Sequence, residues 1–99
     1  MREQNLLLLC LQSALLGNVT PNLRMVTANV EGNLWEVVAY YDGPASEQDI
    51  ENMSMVETEL WAEVKPSVEV RMKTVQLDYP NALPQFHQRA YRRQEPYDI

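Results

Sequence analysis

Leu23-Arg-Met-Val-Thr-Ala-Asn-Val-Glu-Gly-Asn-Leu-Trp-Glu-Val-Val-Ala-Tyr-Tyr-Asp42 is the stretch on which the fold turns. Residues 23 to 31 and 34 to 42 read as two strands around Gly32-Asn33. A glycine-first pair suits a tight two-residue turn with positive φ. Such a turn fixes the register. It predicts Val30 opposite Trp35, Ala28 opposite Val37, Val26 opposite Ala39 and Arg24 opposite Tyr41 on one face. The other face holds Leu23, Met25, Thr27, Asn29 and Glu31 beside Leu34, Glu36, Val38 and Tyr40. The first face is the more apolar and is the expected core. On the second, Met25, Val38 and Tyr40 are expected to be partly exposed unless a helix covers them.

Upstream, residues 3 to 16 read as a helix. Leu6, Leu7, Cys10, Leu11 and Ala14 share one stripe at 100° per residue, and Leu9 and Leu16 fall toward the polar side, there either to cap the core edge or to touch another chain. Gly17-Asn18 is a helix stop, and Pro21 forbids continuation. Downstream, Gly43-Pro44 ends the hairpin. Ser46 reads as the N-cap of a second helix running to about Val64, with Asp49 completing a capping box and Pro66 just beyond. Ile50, Met53, Leu60, Trp61 and Val64 form its expected apolar face.

Residues 68 to 78 read as a third strand. Its apolar phase flips between Met72 and Val75, which a β-bulge near Lys73-Thr74 accounts for. The tail from Tyr79 holds Pro80, Pro84 and Pro96. It allows either a short helix over 85–91 or a short fourth strand at Arg89 to Arg93. The expected architecture is a two-layer α+β domain of order α-β-β-α-β(β), with a largely antiparallel sheet and both helices on one face. Residues 1–78 form the domain and 79–99 a proline-containing C-terminal segment. If the second and third strands are parallel, the connection between them is a right-handed crossover.

The 99-residue chain carries a formal charge of −6, and 45% of its residues are apolar. That supports one modest core and argues against direct nucleic-acid binding, which needs phosphate-neutralising cations, and against anionic membranes. The apolar run Leu6–Leu11 falls far short of the roughly 20 residues that span a bilayer and reads as a buried helix rather than a targeting segment. Cys10 is the sole cysteine, so no internal disulfide forms, in keeping with a cytoplasmic location. No glycine-rich phosphate loop, calcium-loop spacing or catalytic constellation stands out, so no cofactor, metal or enzymatic activity is expected. Cys10 with His87, the only histidine, makes a nucleophilic pair on paper, but Cys10 falls on the apolar helix stripe.

Charge is distributed one-sidedly. From Met25 to Val64 there is no Lys or Arg, while Glu31, Glu36, Asp42, Glu47, Asp49, Glu51, Glu57, Glu59 and Glu63 all fall there. Helix faces usually mix signs, because Glu–Lys pairs four apart are mildly stabilising. Glu57 breaks the second helix's apolar stripe. A carboxylate there needs a partner, and Arg24, expected on the same face, is the candidate for a buried structural pair.

The stretch Ala14-Leu-Leu-Gly-Asn-Val-Thr-Pro-Asn-Leu-Arg24, with Val56-Glu-Thr-Glu59, resembles small bacterial proteins of similar length and element order. Small acidic proteins of this build resemble immunity proteins that neutralise a toxin of contact-dependent or colicin type. The arginine-bearing tail from Gln88 to Gln94 departs from a simple acidic inhibitor. The resemblance and the charge together imply an inhibitor of a basic, nucleic-acid-acting protein, either an immunity protein or a phage-encoded inhibitor of a defence nuclease. It would mimic a phosphate pattern. The expected contact residues are Asp42, Glu47, Glu51, Glu59 and Glu63, with Met55, Tyr40 or Trp35 as apolar anchors. The alternative is a non-catalytic subunit that self-associates into a homodimer through its open sheet face and third-strand edge.

Overall fold

The computed structural model describes residues 2–85 and 88–96. Its elements are α1 (Arg2–Ala14), β1 (Leu23–Glu31), β2 (Leu34–Tyr41), α2 (Glu47–Glu63), β3 (Glu69–Gln76) and β4 (Arg89–Arg92). They build an α+β fold with a four-stranded mixed sheet in the order β3-β2-β1-β4. β1 pairs antiparallel with β2 and with β4, whereas β2 and β3 run parallel and are joined through α2.

Gly32 takes φ +60, and no non-glycine residue among those described has positive φ, so the hairpin turn has the φ pattern of type II′. The register places Val30 opposite Trp35, Ala28 opposite Val37 and Val26 opposite Ala39, as the turn demands. Those residues, with Leu7, Leu11, Ala14 and Leu15 from α1, Met53, Val56 and Leu60 from α2, and Val70 from β3, make one core. Both helices therefore cover the same face. The buried line of α1 is narrower than its apolar content suggests. Leu7, Leu11 and Ala14 point inward, whereas Leu6 is 43% exposed and Leu9 69%. Gly17 at φ +80 ends the helix, and the Asn18 side chain donates to the Ala14 carbonyl at 2.9 Å.

The expected pairing of Arg24 with Tyr41 does not form. The register shifts between Leu23 and Met25, so Leu23 faces Tyr41 and Met25 faces Tyr40, with Arg24 as the extra residue. The bulge takes Arg24 off the helix-covered face and away from Glu57. Its Nε and Nη2 instead donate to Glu95 at 2.8 and 2.9 Å, and its Nη1 donates to the Leu77 carbonyl at 2.7 Å. The guanidinium also lies 5.7 Å from the centre of the Tyr79 ring. Arg24 and Glu95 are both buried, and the Arg93 Nε donates to the same Glu95 carboxylate at 2.9 Å. The structural pair is thus Arg24–Glu95, not Arg24–Glu57.

One end of the second sheet face is buried too, whereas Val38 is half-buried and Asn29 and Glu31 are exposed. Met25 is fully buried and Tyr40 is 8% exposed, although no helix packs there. This also explains the phase flip in β3. The β2–β3 register runs unbroken from Leu34–Glu69 to Tyr41–Gln76, so no bulge occurs at Lys73-Thr74. Val70 packs among the helices, whereas Val75 lies beside Tyr40 on the opposite face. The strand changes which face it buries, not its register.

β4 forms as the expected fourth strand, in place of a short helix, and it is brief. A second register shift, between Val26 and Thr27, leaves Ala90 without a partner on β1, and its carbonyl accepts Gln12 Nε2 at 3.2 Å. Beyond the end of β4, the Gln4 side-chain amide takes the place of a strand. Its Nε2 donates to the Ala28 carbonyl and its Oε1 accepts the Val30 N–H, each at 3.0 Å. α1 thereby closes the edge of β1 that β4 leaves open.

Removing one partner of a buried ion pair strands the other charge, at about 3–5 kcal/mol. Glu95→Gln is therefore expected to lower the unfolding free energy by an amount in that range in urea titration. The double substitution Arg24→Met/Glu95→Leu should recover most of the loss. An unchanged denaturation midpoint for Glu95→Gln would show that the pair does not hold the C-terminal segment.

Candidate functional site

α2 is held from one side and one end. Its N-cap is Ser46, whose hydroxyl accepts the Asp49 N–H at 3.1 Å, while the Asp49 carboxylate accepts the Ser46 N–H at 2.9 Å, closing the expected capping box. Asp49 reaches further. Its Oδ1 accepts Thr20 Oγ1 at 2.6 Å and its Oδ2 accepts Asn22 Nδ2 at 2.8 Å, which ties the helix to the α1–β1 connection. Burial pushes the Asp49 carboxyl up, but the hydrogen bonds from Thr20, the Ser46 N–H and Asn22 outweigh it and leave the group below its ordinary value. Burial and the Asp49 charge push the Tyr41 phenol up to about 12.

The buried side of α2 is Asp49, Asn52, Met53, Val56 and Leu60. This is rotated from the expected face. Ile50 is 55% exposed and Trp61 45%, and Glu57 sits half-buried on the flank toward β3, in a groove with Met72 and Lys73. Apolar periodicity misplaced the helix because two of its inward residues, Asp49 and Asn52, are polar. The α1–β1 connection satisfies Asp49, whereas the Asn52 Oδ1 accepts Gln48 Nε2 at 2.8 Å within the helix.

This rotation determines which candidate residues share a surface. Glu47, Glu51, Met55, Glu59 and Glu63 stand at intervals of four and are all exposed. They form one ridge along α2, stepping about 6 Å per residue of the series. Among the described residues the ion pairs are Arg24–Glu95, Arg93–Glu95, Arg93–Asp42 and Arg71–Glu69, and none involves the ridge. The last turn of α2 carries no basic residue, so Glu59 and Glu63 stand toward the negative end of the helix dipole, with Lys65 just beyond the helix.

Two expected contact residues leave the surface, and a third stays there but is engaged within the fold. Tyr40 is buried on the second sheet face, where it hydrogen-bonds Thr27, and Trp35 is 1% exposed in the core. Asp42 is engaged structurally. Arg93 Nη2 donates to its Oδ2 at 3.0 Å and the Tyr79 N–H to its Oδ1 at 3.1 Å, and these contacts, Arg93 foremost, hold its carboxyl below the ordinary value. Met55, 55% exposed, remains the apolar member of the set. The outer face of α1, to which the sequence assigns Leu9 and Leu16, adjoins α2: Leu9 stands beside Glu59 and Glu63 across a groove also lined by Cys10, Ser13 and Ala62.

The Cys10–His87 pairing lies partly outside the described residues, since His87 is not among them. Cys10 itself borders the helix seam, where burial pushes its thiol up, away from nucleophilic character. No cluster of three or more His, Cys, Asp or Glu among the described residues is arranged to hold a metal ion. Among the described residues, no helix is long and apolar enough to cross a membrane.

Compared with protein-family models, the chain matches that of the MafI2 immunity protein over residues 4–95. No curated protein matches it. The match spans both helices, all four strands and the Arg24–Glu95 pair.

The Asp49 cluster makes stability pH-dependent with a definite sign. Its folded pKa is depressed, so its contribution is fully present above the unfolded value of about 3.9 and is lost as pH falls through the folded value. The Asp49→Asn variant is expected to be less stable than the parent near neutrality and to lose less stability on acidification. Denaturant midpoints between pH 6 and pH 3 measure this. Parallel curves for the two proteins would contradict it.

Proposed function

The chain belongs to the MafI2 immunity protein family, and from that premise we propose that it neutralises a toxin with a basic, nucleic-acid-binding surface by presenting the acidic ridge of α2. An immunity protein acts by binding its cognate toxin, so its chemistry is that of an interface. The observation that carries the reading is the ridge itself. Glu47–Glu51 and Glu59–Glu63 are like-charged pairs four residues apart, each destabilising an exposed helix by about 0.2–0.5 kcal/mol. Glu59 and Glu63 also oppose the helix dipole. Helix stability alone favours lysine at positions 59 and 63. A partner that supplies the missing cations accounts for their retention.

A nuclease grips nucleic acid with Lys and Arg spaced to meet phosphates. A row of carboxylates on a rigid helix can occupy such a cleft, accelerating association by steering, while Met55 adds an apolar contact within the row. The protein's own basic residues fall outside α2. Arg71 and Lys73 lie on β3, and Arg89, Arg92 and Arg93 in or beside β4, while Lys65, just past the end of α2, stands near Glu63.

Homodimerisation is favoured by one observation. β3 has a pairing strand on one side only among the described residues, which leaves an eight-residue edge. Sedimentation at low and high salt separates the readings, because strand-edge pairing gives a dimer without any toxin.

The test of the main reading uses the toxin whose growth arrest this chain relieves on co-expression. Glu51→Gln/Glu59→Gln/Glu63→Gln is expected to fold at least as stably as the parent. It should associate with that toxin more slowly by about tenfold or more at low salt, with a flattened salt dependence. An association rate indifferent both to the substitutions and to salt would sink the proposal.

A further inference from the structure

α1 carries a second apolar line that the core does not use. Leu6, Leu9, Ser13 and Leu16 are spaced three, four and three, and the leucines are 43%, 69% and 77% exposed. The core takes a different line of the same helix, through Leu7, Leu11 and Ala14. The helical course holds to the end of the outer series, since Leu15 N–H donates to the Leu11 carbonyl and Leu16 N–H to Ser13. A three-four-three spacing is the narrow seam that one helix offers another. Exposed leucines in such a line mark an interaction surface.

The charge around the seam selects the occupant. Glu59 and Glu63 border it beside Leu9 and Ser13, and Glu3 and Lys65 border it beside Leu6 and Leu9. A second copy of this chain is a poor fit. A two-fold interface applies the same patch to itself and would set Glu59 and Glu63 against their own counterparts. We propose that the outer face of α1 is the other half of the toxin-binding surface, and that it receives an amphipathic helix of the toxin whose apolar line is flanked by Lys or Arg. This rests on the reading of the toxin as basic. It extends the interface from the α2 ridge across the groove at Leu9, Cys10 and Ser13. The two halves differ in role: the carboxylates set the rate of encounter, and the leucines set how long the complex lasts.

The test compares Leu9→Ser/Leu16→Ser with Glu59→Gln/Glu63→Gln, using the purified toxin whose growth arrest the parent chain relieves. Both leucines are exposed, so the variant should keep the parent's thermal midpoint. Its complex is expected to dissociate at least about tenfold faster with little change in association rate, whereas the charge variant slows association. Hydrogen exchange on the toxin should show protection in a segment with apolar residues three and four apart and Lys or Arg beside them. An unchanged dissociation rate, or protection confined to an extended strand, overturns the proposal. So does a dimer of this chain that becomes monomeric on Leu9→Ser/Leu16→Ser. If only the leucine variant weakens the complex, the seam stands and the basic-toxin reading falls. If only the charge variant does, the seam falls and that reading stands.

Discussion

The buried Arg24–Glu95 pair is the contact on which the second face of the sheet depends. It joins residues 71 positions apart, and it does so only because β1 bulges at Arg24. An arginine on the helix-covered face would lie in the apolar core. Turned to the other face, its guanidinium finds a bidentate carboxylate, the Leu77 carbonyl and the Tyr79 ring. Arg93 adds a third link, bridging Glu95 to Asp42 at the end of β2. The C-terminal segment is thus fastened by charge-assisted hydrogen bonds rather than by a long strand, in keeping with a β4 of four residues. Such a pair contributes less to net stability than its geometry suggests, because both ions lose their water. What it supplies is position, since either ion alone would be costly to bury.

This arrangement divides the molecule electrostatically. The basic residues of the tail are committed inward or along the β4 edge, where Arg93 spends its charge on Asp42 and Glu95. Apart from buried Asp49 and half-buried Glu57, α2 keeps its carboxylates on its outer surface, away from those bonds. The arginines near the C-terminus therefore do not contradict an acidic binding face. Among them Arg93 ties the C-terminal segment to Asp42 and the Pro21 carbonyl.

Much of this was legible in the chain. Gly32-Asn33 set the hairpin and its register, Ser46 and Asp49 set the start of α2, and the alternation from Val68 set β3. What escaped depended on single-residue irregularities and on polar residues facing inward. A bulge inserts one residue, so it reverses the face of everything before it without altering composition. Arg24 was assigned to the wrong face for that reason, and Glu57 was given a partner it does not have. One signal was available: Glu95 is the one carboxylate between Tyr79 and Pro96, among three arginines. The rotation of α2 was hidden by Asp49 and Asn52, which apolar periodicity assigns to solvent. The exposed line of α1 was hidden by abundance. Leucines at positions 6 to 9, 11, 15 and 16 supply more apolar surface than one buried line can use.

The distribution of stabilising contacts in α2 then bears on function. The helix is fixed at its first turn by the capping box and the Thr20–Asn22–Asp49 bonds, and along one side by Met53, Val56 and Leu60. Its outer ridge contributes nothing comparable, and its like charges and dipole-opposing carboxylates work against it. A helix anchored this firmly from within tolerates an unfavourable exterior, so the ridge is free to be selected for something other than stability. The same holds for α1, whose Gln4 and Gln12 side chains grip β1 and β4 while leucines on its far side remain in water. The two helices share a pattern: contacts that secure them point toward the sheet, and residues with no reason to be there on folding grounds point outward, together, on adjoining surfaces. That is the pattern expected of a protein whose missing interactions are completed by its partner.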